Sequence, residues 1–233
     1  MLNTRRRSIL EAAIKEYIKT GEPVSSGELG KQYDFGVKDA TIRNELNWLT
    51  KEGFLAQPHT SGGRVPTDKG YGLFVQNTYE NMLDSKKIIG AAQGRLAGNL
   101  KKGNLRDFVE AISKETKLLG VGRESSEVYK TGLDELFERL DTDARQDLNE
   151  IIRDFESLDE RMCEFQKKFL QTFSSPQVFI GKKSPITHSD NLSVILDSYE
   201  VDGKKVIIAV IGPKRMDYDK HLKLLKGLHE LYE

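Results

Sequence analysis

The segment Asp39–Lys51, DATIRNELNWLTK, decides how the first third of this chain folds. Its apolar residues Ile42, Leu46 and Leu49 recur at helical spacing and form one stripe, which predicts an amphipathic helix with a single buried face. The polar residues that lie off this stripe are Thr41, Arg43, Asn44 and Asn47. The pattern therefore predicts a helix that packs on one side and presents hydrogen-bonding groups on the other.

Two helices are predicted before this segment. The first spans about Arg5–Lys19, with Thr4 as its N-cap. The second begins at Ser25 or Ser26, because Ser25-x-x-Glu28 has the form of a capping box. The turn DFGV then separates the second helix from the third and is short enough to make the two helices cross.

A short strand, FLAQ, and the stretch PHTSGGRVPTDKG, Pro58–Gly70, follow the third helix. Two prolines and two adjacent glycines predict a stiff hairpin with a sharp reversal, and Thr67 is placed to cap the next helix. Three small helices followed by a hairpin is the order of a winged helix-turn-helix, which binds DNA with its third helix. Small three-helix units also serve as plain interaction modules, so the pattern alone leaves both readings open.

Charge is distributed unevenly along the chain, although 36 Lys and Arg balance 36 Asp and Glu. Residues 1–75 hold eleven basic and nine acidic residues, a net charge of +2, whereas residues 131–164 hold four and twelve, a net charge of −8. The asymmetry favours distinct roles for the two ends. Charges interrupt the N-terminal region, and the longest apolar run, Val206–Ile211, is too short to cross a bilayer. We therefore expect a cytoplasmic protein without a membrane partner.

The chemistry-bearing residues form no catalytic or metal-binding motif. The histidines His59, His188, His221 and His229 show no metal-ligand spacing with one another or with Cys163. Cys163, the single cysteine, excludes an intrachain disulfide and is expected to be a packing residue. The sequence therefore predicts a binding protein with no catalytic residues, no metal and no cofactor.

A heptad pattern marks an acidic helix predicted at about residues 144–172. Its apolar residues are spaced alternately by three and four, which is typical of a coiled-coil seam. The candidate dimerisation residues are Leu148, Ile151, Phe155, Leu158, Met162 and Phe165. A long amphipathic helix that packs on its own domain has the same pattern, so two interpretations remain.

The C-terminal part is rich in β-branched residues. LSVILDSYE and KKVIIAVIG are joined through VDG, which predicts a β-hairpin, and a closing helix follows. The predicted fold class is thus α+β. We expect a winged helix-turn-helix at 1–75, a helical linker at 76–130, and a small α/β regulatory or dimerisation domain at 131–233.

Several segments together resemble the bacterial heat-inducible transcription repressor family HrcA. They are EYIKTGEPVSSGEL, ATIRNEL, EGFLAQPHTSGGRVPTDKGY and, near the C-terminus, VIGPKRMDY, with a weaker match at VYKTGL. The chain is shorter than the family's usual length between about 90 and 180, so it is identified as a shortened member. Lys38 and Asp39 stand where the family usually has serine and proline.

The resemblance implies a dimeric repressor of chaperone genes that binds an inverted-repeat (CIRCE) operator on double-stranded DNA. It further implies a GAF-like C-terminal domain, support by the GroE chaperonin, and a nucleoid-associated location in the bacterial cytoplasm. The residues expected to contact DNA are Arg5, Arg6, Ser26, Lys38, Thr41, Arg43, Asn44, Asn47, His59, Thr60, Ser61 and Arg64. The alternative is a winged-helix regulator whose GAF-like domain binds a small molecule.

Overall fold

A computed structural model describes residues 2–59, 62–83, 90–101, 103–140, 148–168 and 173–232. The chain divides into two compact units, Met1–Asn81 and Met82–Glu233. The first unit ends close to the boundary expected at residue 75. No separate body corresponds to the predicted linker, because the second unit begins at Met82.

Helices and one short hairpin make up the first unit. Its described elements are α1 (Thr4–Thr20), α2 (Ser26–Gln32), α3 (Asp39–Lys51), β1 (Leu55–Ala56), β2 (Val65–Pro66) and α4 (Asp68–Leu83). The bounds of α3 are those predicted from its apolar stripe. Ile42, Leu46 and Leu49 are all at most 1% exposed, so the buried face of this helix is confirmed.

The helix starts follow local capping chemistry. Asn3, rather than the predicted Thr4, caps α1, since the Asn3 side chain accepts a hydrogen bond from the backbone N–H of Arg6 at 2.9 Å. The capping box of α2 is confirmed. The Ser25 hydroxyl accepts from the Glu28 N–H at 3.3 Å, and the Glu28 carboxylate accepts from the Ser25 N–H at 2.8 Å.

The hairpin is tied to the connection between α1 and α2. β1 and β2 pair antiparallel, and Arg64 pairs with Val24 through two backbone hydrogen bonds of 2.8 and 2.9 Å. A Cβ atom at Gly63 would lie 2.3 Å from the Pro23 carbonyl oxygen, so only glycine permits this close approach. The base of the hairpin is therefore held in a fixed position within the unit.

The second unit combines helices with a five-stranded antiparallel sheet in the order β4-β3-β7-β6-β5, a GAF-like arrangement. Its described elements are α5 (Ala91–Lys101), α6 (Leu105–Thr116), β3 (Leu119–Glu124), β4 (Glu127–Thr131), α7 (Leu133–Arg139), α8 (Leu148–Lys168), β5 (Gln177–Ile180), β6 (Leu192–Val201), β7 (Lys204–Pro213) and α9 (Tyr218–His229).

The helical linker predicted at 76–130 is corrected by this topology. β3 lies inside the sheet between β4 and β7, and α6 packs directly on β3. A Cβ atom at Gly122 would lie 2.3 Å from Val109 Cγ2, so the glycines that suggested weak packing instead allow a helix to approach the strand closely. The region is part of the core.

The predicted C-terminal hairpin is confirmed. β6 and β7 pair along their whole lengths, from Leu192↔Pro213 to Val201↔Lys204. The two turn residues, Asp202 and Gly203, have φ values of 51° and 74°. Two consecutive positive φ values characterise the type I′ turn, whose twist matches that of the flanking strands.

Helices cover both faces of the sheet. One face packs against α7 and α8 in a core that includes Val194, Leu196 and Ile211. The other face meets α6 and α9, where Tyr199 packs edge-on against Phe108 with ring centroids 6.1 Å apart. The sheet is therefore the central layer of the second unit.

The heptad stripe of α8 belongs to this core. Ile151, Leu158, Met162 and Phe165 are at most 2% exposed, and Phe155 packs against the same cluster. Leu148, at the start of the helix, is half-buried. Of the two interpretations left open by the sequence, packing on its own domain is the one observed. The stripe is reassigned from a dimer seam to the core, because its side chains are already covered by the sheet.

Candidate nucleic-acid interface

The outward face of α3 carries the polar side chains that the sequence placed there. Arg43, Asn44 and Asn47 are exposed, and Thr41 is half-buried beside them. Lys38, also exposed, precedes the helix at its N-cap position and makes no side-chain capping hydrogen bond. The structure thus brings amide, hydroxyl and cationic groups together on one side of a helix whose other side is anchored in the core.

Arg6 holds α3 to α1 through two side-chain contacts. Its Nε donates to Glu45 Oε2 at 2.7 Å, and its guanidinium carbon lies 3.9 Å from the centre of the Trp48 ring. Glu45 and Trp48 both belong to α3. Arg6 therefore has a structural role within the first unit, and its expected contact with phosphate stays a prediction.

The other cations in the first turn of α1 also have internal partners. Arg5 Nε lies 3.9 Å from Glu45 Oε1, and Arg7 Nη1 lies 3.5 Å from Glu80 Oε2. These carboxylates offset the positive end of the helix dipole. An external anion is thus not needed to explain the basic start of α1. The side chain of Arg5 remains 46% exposed and accessible.

Arg64 lies at the base of the hairpin rather than at its tip, where the sequence suggested a backbone contact. Its Nε donates to Thr50 Oγ1 at 3.2 Å, and its Nη2 donates to the side-chain oxygen of Asn47. Burial, and secondarily the nearby charge of Arg43, lowers the pKa of Arg64. The hairpin thereby fastens to the outward side of α3.

The remaining predicted contacts divide into three groups. Ser26 is only 6% exposed at the start of α2, so burial removes it from the accessible surface. His59 is exposed, and its carbonyl accepts from the Gly62 N–H at 2.9 Å. Thr60 and Ser61 lie outside the described residues.

The exit from the hairpin is fixed by Thr67. Its hydroxyl accepts from the Gly70 N–H at 3.2 Å, which confirms the predicted cap of α4, and donates to the Gly53 carbonyl at 2.7 Å. The same hydroxyl thus joins the start of α4 to the end of α3. Lys69 adds a 2.7 Å bond to the Glu52 carbonyl. Sequence reasoning missed the contacts with the Gly53 and Glu52 carbonyls and those of Glu45, Trp48 and Thr50, because they join residues at least 14 positions apart.

Buried polar groups characterise the second unit. Asp197 is fully buried and lies 2.9 Å from His229 Nδ1, and burial raises the pKa of Asp197 despite that partner. His221 Nε2 lies 3.2 Å from the Thr116 carbonyl oxygen, and burial lowers the pKa of His221 to about 4. These groups join strands and helices inside the unit.

A groove of about 610 Å³ opens at the sheet edge, between the start of α6 and the outer strand β4. Its charged lining residues are Arg106, Glu124 and Glu127. Across the described parts of the chain, no group of three or more His, Cys, Asp or Glu residues is arranged to hold a metal ion. Nor does any helix in those parts have the length and apolar character needed to cross a membrane.

The family described as HrcA protein C terminal domain matches residues 77–222, more than half of the chain. The chain belongs to the HrcA family. This match covers nearly all of the second unit. Residues 1–76, which include α3, lie outside this match.

Curated relatives carry the name heat-inducible transcription repressor HrcA. The one from Clostridium perfringens (strain SM101 / Type A) is 41% identical over 119 residues, which cover 51% of this chain and 34% of the relative. The one from Clostridioides difficile (strain 630) is 42% identical over 118 residues, covering 51% and 33%. The aligned part of this HrcA-family chain thus spans about a third of the length of these relatives.

A solved structure shares the fold over the full chain. The crystal structure of a hypothetical protein at 2.2 Å resolution superposes with a TM-score of 0.76 and covers 100% of this chain and 98% of that one. Sequence identity between the two is 16%, so the likeness concerns the fold alone.

Proposed function

We propose that this HrcA-family chain is a transcriptional repressor of heat-shock genes that binds double-stranded DNA through α3. The observation that carries the proposal is the outward face of α3, where Arg43, Asn44 and Asn47 are exposed on a helix fixed by its buried side. Curated relatives named heat-inducible transcription repressors support the same conclusion. Binding of DNA, without catalysis, is the proposed activity.

The first unit is proposed to be a winged helix-turn-helix. In such domains the second of two crossing helices enters the major groove, and a hairpin lies beside it. α2 and α3 supply the two helices, and β1 and β2 supply the hairpin. Arg43 can pair bidentately with guanine O6 and N7, and an asparagine can do the same with adenine N6 and N7. Arg5 and Lys38 are left to neutralise phosphates, and His59 is placed to contact the DNA backbone. Phosphate contacts contribute more to affinity than to specificity.

Selection of bound duplexes from a random DNA pool tests the proposal. We expect an inverted repeat of the CIRCE type to be enriched, because a two-fold symmetric repressor places two recognition helices in successive major grooves. Retention of no duplex, or of duplexes without any shared sequence, would contradict it.

Arg43→Ala then tests whether α3 carries the contact. A good bidentate pair discriminates by about 1–3 kcal/mol, so we expect affinity for the selected duplex to fall about 5- to 150-fold. Arg153→Ala is the matched control, since Arg153 is an exposed arginine on α8 of the second unit. Equal losses for the two variants would assign the effect to net charge and not to α3.

A homodimer and the GroE chaperonin are the proposed protein partners. Sedimentation of the full chain with and without the selected duplex measures the dimer. Addition of purified chaperonin to the DNA-binding assay tests for support of repression, with a rise in the fraction of DNA bound as the expected result. The described α8 stripe is unavailable for dimerisation, so another surface must supply that contact.

The alternative of a small-molecule-responsive regulator rests on the groove between α6 and β4. Its lining holds both cationic and anionic side chains along with Tyr129. A ligand that binds there would alter DNA affinity in the same assay. The repressor reading is preferred, since the exposed face of α3 and the names of the relatives both support it without a ligand.

A further inference from the structure

Arg64 makes a forked contact with the outward side of α3. Its Nε donates to Thr50 Oγ1 at 3.2 Å, while its Nη2 donates to the side-chain oxygen of Asn47. The Thr50 hydroxyl in turn donates to the Leu46 carbonyl at 2.9 Å, which leaves an oxygen lone pair directed at Arg64. Both arms of the guanidinium are therefore directed by acceptors whose orientation is set by the helix.

The backbone holds the other end of Arg64 in place. Two hydrogen bonds join it to Val24, and the neighbouring Gly63 sits against Pro23. The side chain thus extends from a fixed point on the hairpin to a fixed point on α3. Because a guanidinium is planar and presents its donors in a rigid fork, this contact sets direction as well as distance.

The contact determines which atoms Asn47 can offer to DNA. With its oxygen engaged by Arg64, the exposed carboxamide has its N–H₂ group left to donate to a base. A bidentate pair with adenine uses the amide oxygen and nitrogen on the same base, so the second lone pair of the oxygen would have to meet adenine N6 while Arg64 holds the carboxamide in one orientation. Guanine presents two adjacent acceptors, N7 and O6, and requires only the amide N–H₂ group of Asn47, which needs no such alignment.

We infer that Arg64 is a positioning residue that orients the Asn47 carboxamide as a donor, so that Asn47 selects guanine in the major groove. Asn44 provides the internal contrast. It is exposed, and no described residue holds its amide, so Asn44 keeps both atoms available for adenine. Two asparagines one turn apart on the same helix are thereby assigned different bases. The inference rests on the proposed function.

The orientation is testable without DNA. In the free protein, Arg64→Lys should shift the side-chain amide resonances of Asn47 in a ¹⁵N-correlated NMR spectrum and leave those of Asn44 in place. Lysine keeps the positive charge but has a single ammonium in place of the fork. An Asn47 amide that does not respond would overturn the positioning role, whatever the fate of the DNA-binding proposal.

Base selection is tested by repeating the random-pool experiment with the wild type, Asn47→Ala and Arg64→Lys. We expect one guanine of the wild-type site to lose its preference in Asn47→Ala by about 5-fold, the lower end of the range for a bidentate pair, because only the amide nitrogen donates. In Arg64→Lys the same position should relax toward adenine, while the other positions and the salt dependence of binding stay unchanged.

Two results would contradict this assignment. An Asn47-dependent adenine in the wild-type site, or an unaltered guanine in Arg64→Lys, would overturn the inference while leaving DNA binding by α3 intact. Failure of the wild type to select any sequence would instead contradict the proposed function and the base assignment together. Circular dichroism of each variant verifies that it is folded before the comparison is made.

Discussion

α3 in the first unit and α8 in the second are built on the same plan and differ in what they present outward. Each buries one apolar stripe, Ile42/Leu46/Leu49 in α3 and Ile151/Leu158/Met162 in α8. The exposed acidic residues of α8 are Glu156, Asp159, Glu160 and Glu164. The exposed face of α3 instead offers amides and a cation, because its one central carboxylate, Glu45, is engaged by arginines of α1.

The comparison of α3 with α8 shows that a regular apolar stripe identifies the buried face of a helix but not the partner that buries it. Both stripes are covered within the chain. A polyanion would be repelled by the carboxylates of α8 and attracted to the outward side of α3. The proposed DNA binding therefore depends on the polar positions of α3, where the arginines of α1 engage the carboxylate of Glu45.

Truncation of one apolar stripe side chain in each helix should lower stability the most. Leu158→Ala and Leu46→Ala should each lower the free energy of unfolding by about 2–5 kcal/mol, because each leaves a cavity in a packed core. Urea denaturation measures both. For α8, a variant of unchanged stability that no longer sediments as a dimer would show that the stripe joins two copies after all.

The second-largest effect should be a loss of stability in acid, which acts through the buried polar groups of the second unit. Burial lowers the pKa of His221 to about 4, so the folded protein keeps this ring neutral while the unfolded chain binds a proton below about 6.5. Stability is therefore fully present above pH 6.5 and falls as the pH drops toward 4, by up to about 3 kcal/mol.

Replacement of this ring checks the acid effect. We expect His221→Gln to flatten the fall in urea-unfolding free energy between pH 6.5 and 4. His59→Gln, on the exposed hairpin of the first unit, is the control and should leave the profile as it is. Parallel profiles for the wild type and His221→Gln would refute the assignment.

Arg6→Ala should lower the free energy of unfolding by a smaller amount, and only in the first unit. Loss of the contact with Trp48 and of the ion pair with Glu45 should cost about 1–2 kcal/mol. Trp48 is the only tryptophan in the chain, so its fluorescence reports the unfolding of this unit alone. Arg7→Ala removes an exposed pair and should cost less than about 1 kcal/mol. Equal costs would show that Arg6 does not hold α3 in place.

The smallest of these effects concerns one helix cap in each unit. Thr67→Ala and Asn104→Ala each remove a side chain that accepts a hydrogen bond from a first-turn N–H, at 3.2 Å in both cases. Each should lower the free energy of unfolding of its own unit by about 1 kcal/mol, as measured by thermal denaturation. A loss much larger for Thr67 would indicate that its additional bond to the Gly53 carbonyl also contributes.

Sequence patterns predicted α3, the capping box of α2 and the β6–β7 hairpin because the signals for these elements are local. β3 was missed because Gly120 and Gly122 weaken its strand pattern. These two glycines allow α6 to approach the strand closely, a contact that exists only in the folded unit.

For the candidate interface, sequence reasoning found the outward face of α3 but not what orients it. Arg64 meets Asn47 across 17 positions, and Arg6 meets Glu45 across 39. Neither spacing belongs to a helix or hairpin repeat, so both cations looked free to contact phosphate. A charged residue's partner is decided by the folded chain, and that information is not local.

The place of β3 beside β7 has a consequence for synthesis on the ribosome. All elements of the first unit have been made by residue 83, so this unit can fold while the rest of the chain is still being translated. β3 is made soon afterwards, but its central partner, β7, begins only at Lys204. The nascent chain therefore passes through a stage in which the first unit is complete and β3 still lacks its partner strand, and an unpaired strand edge at such a stage favours aggregation.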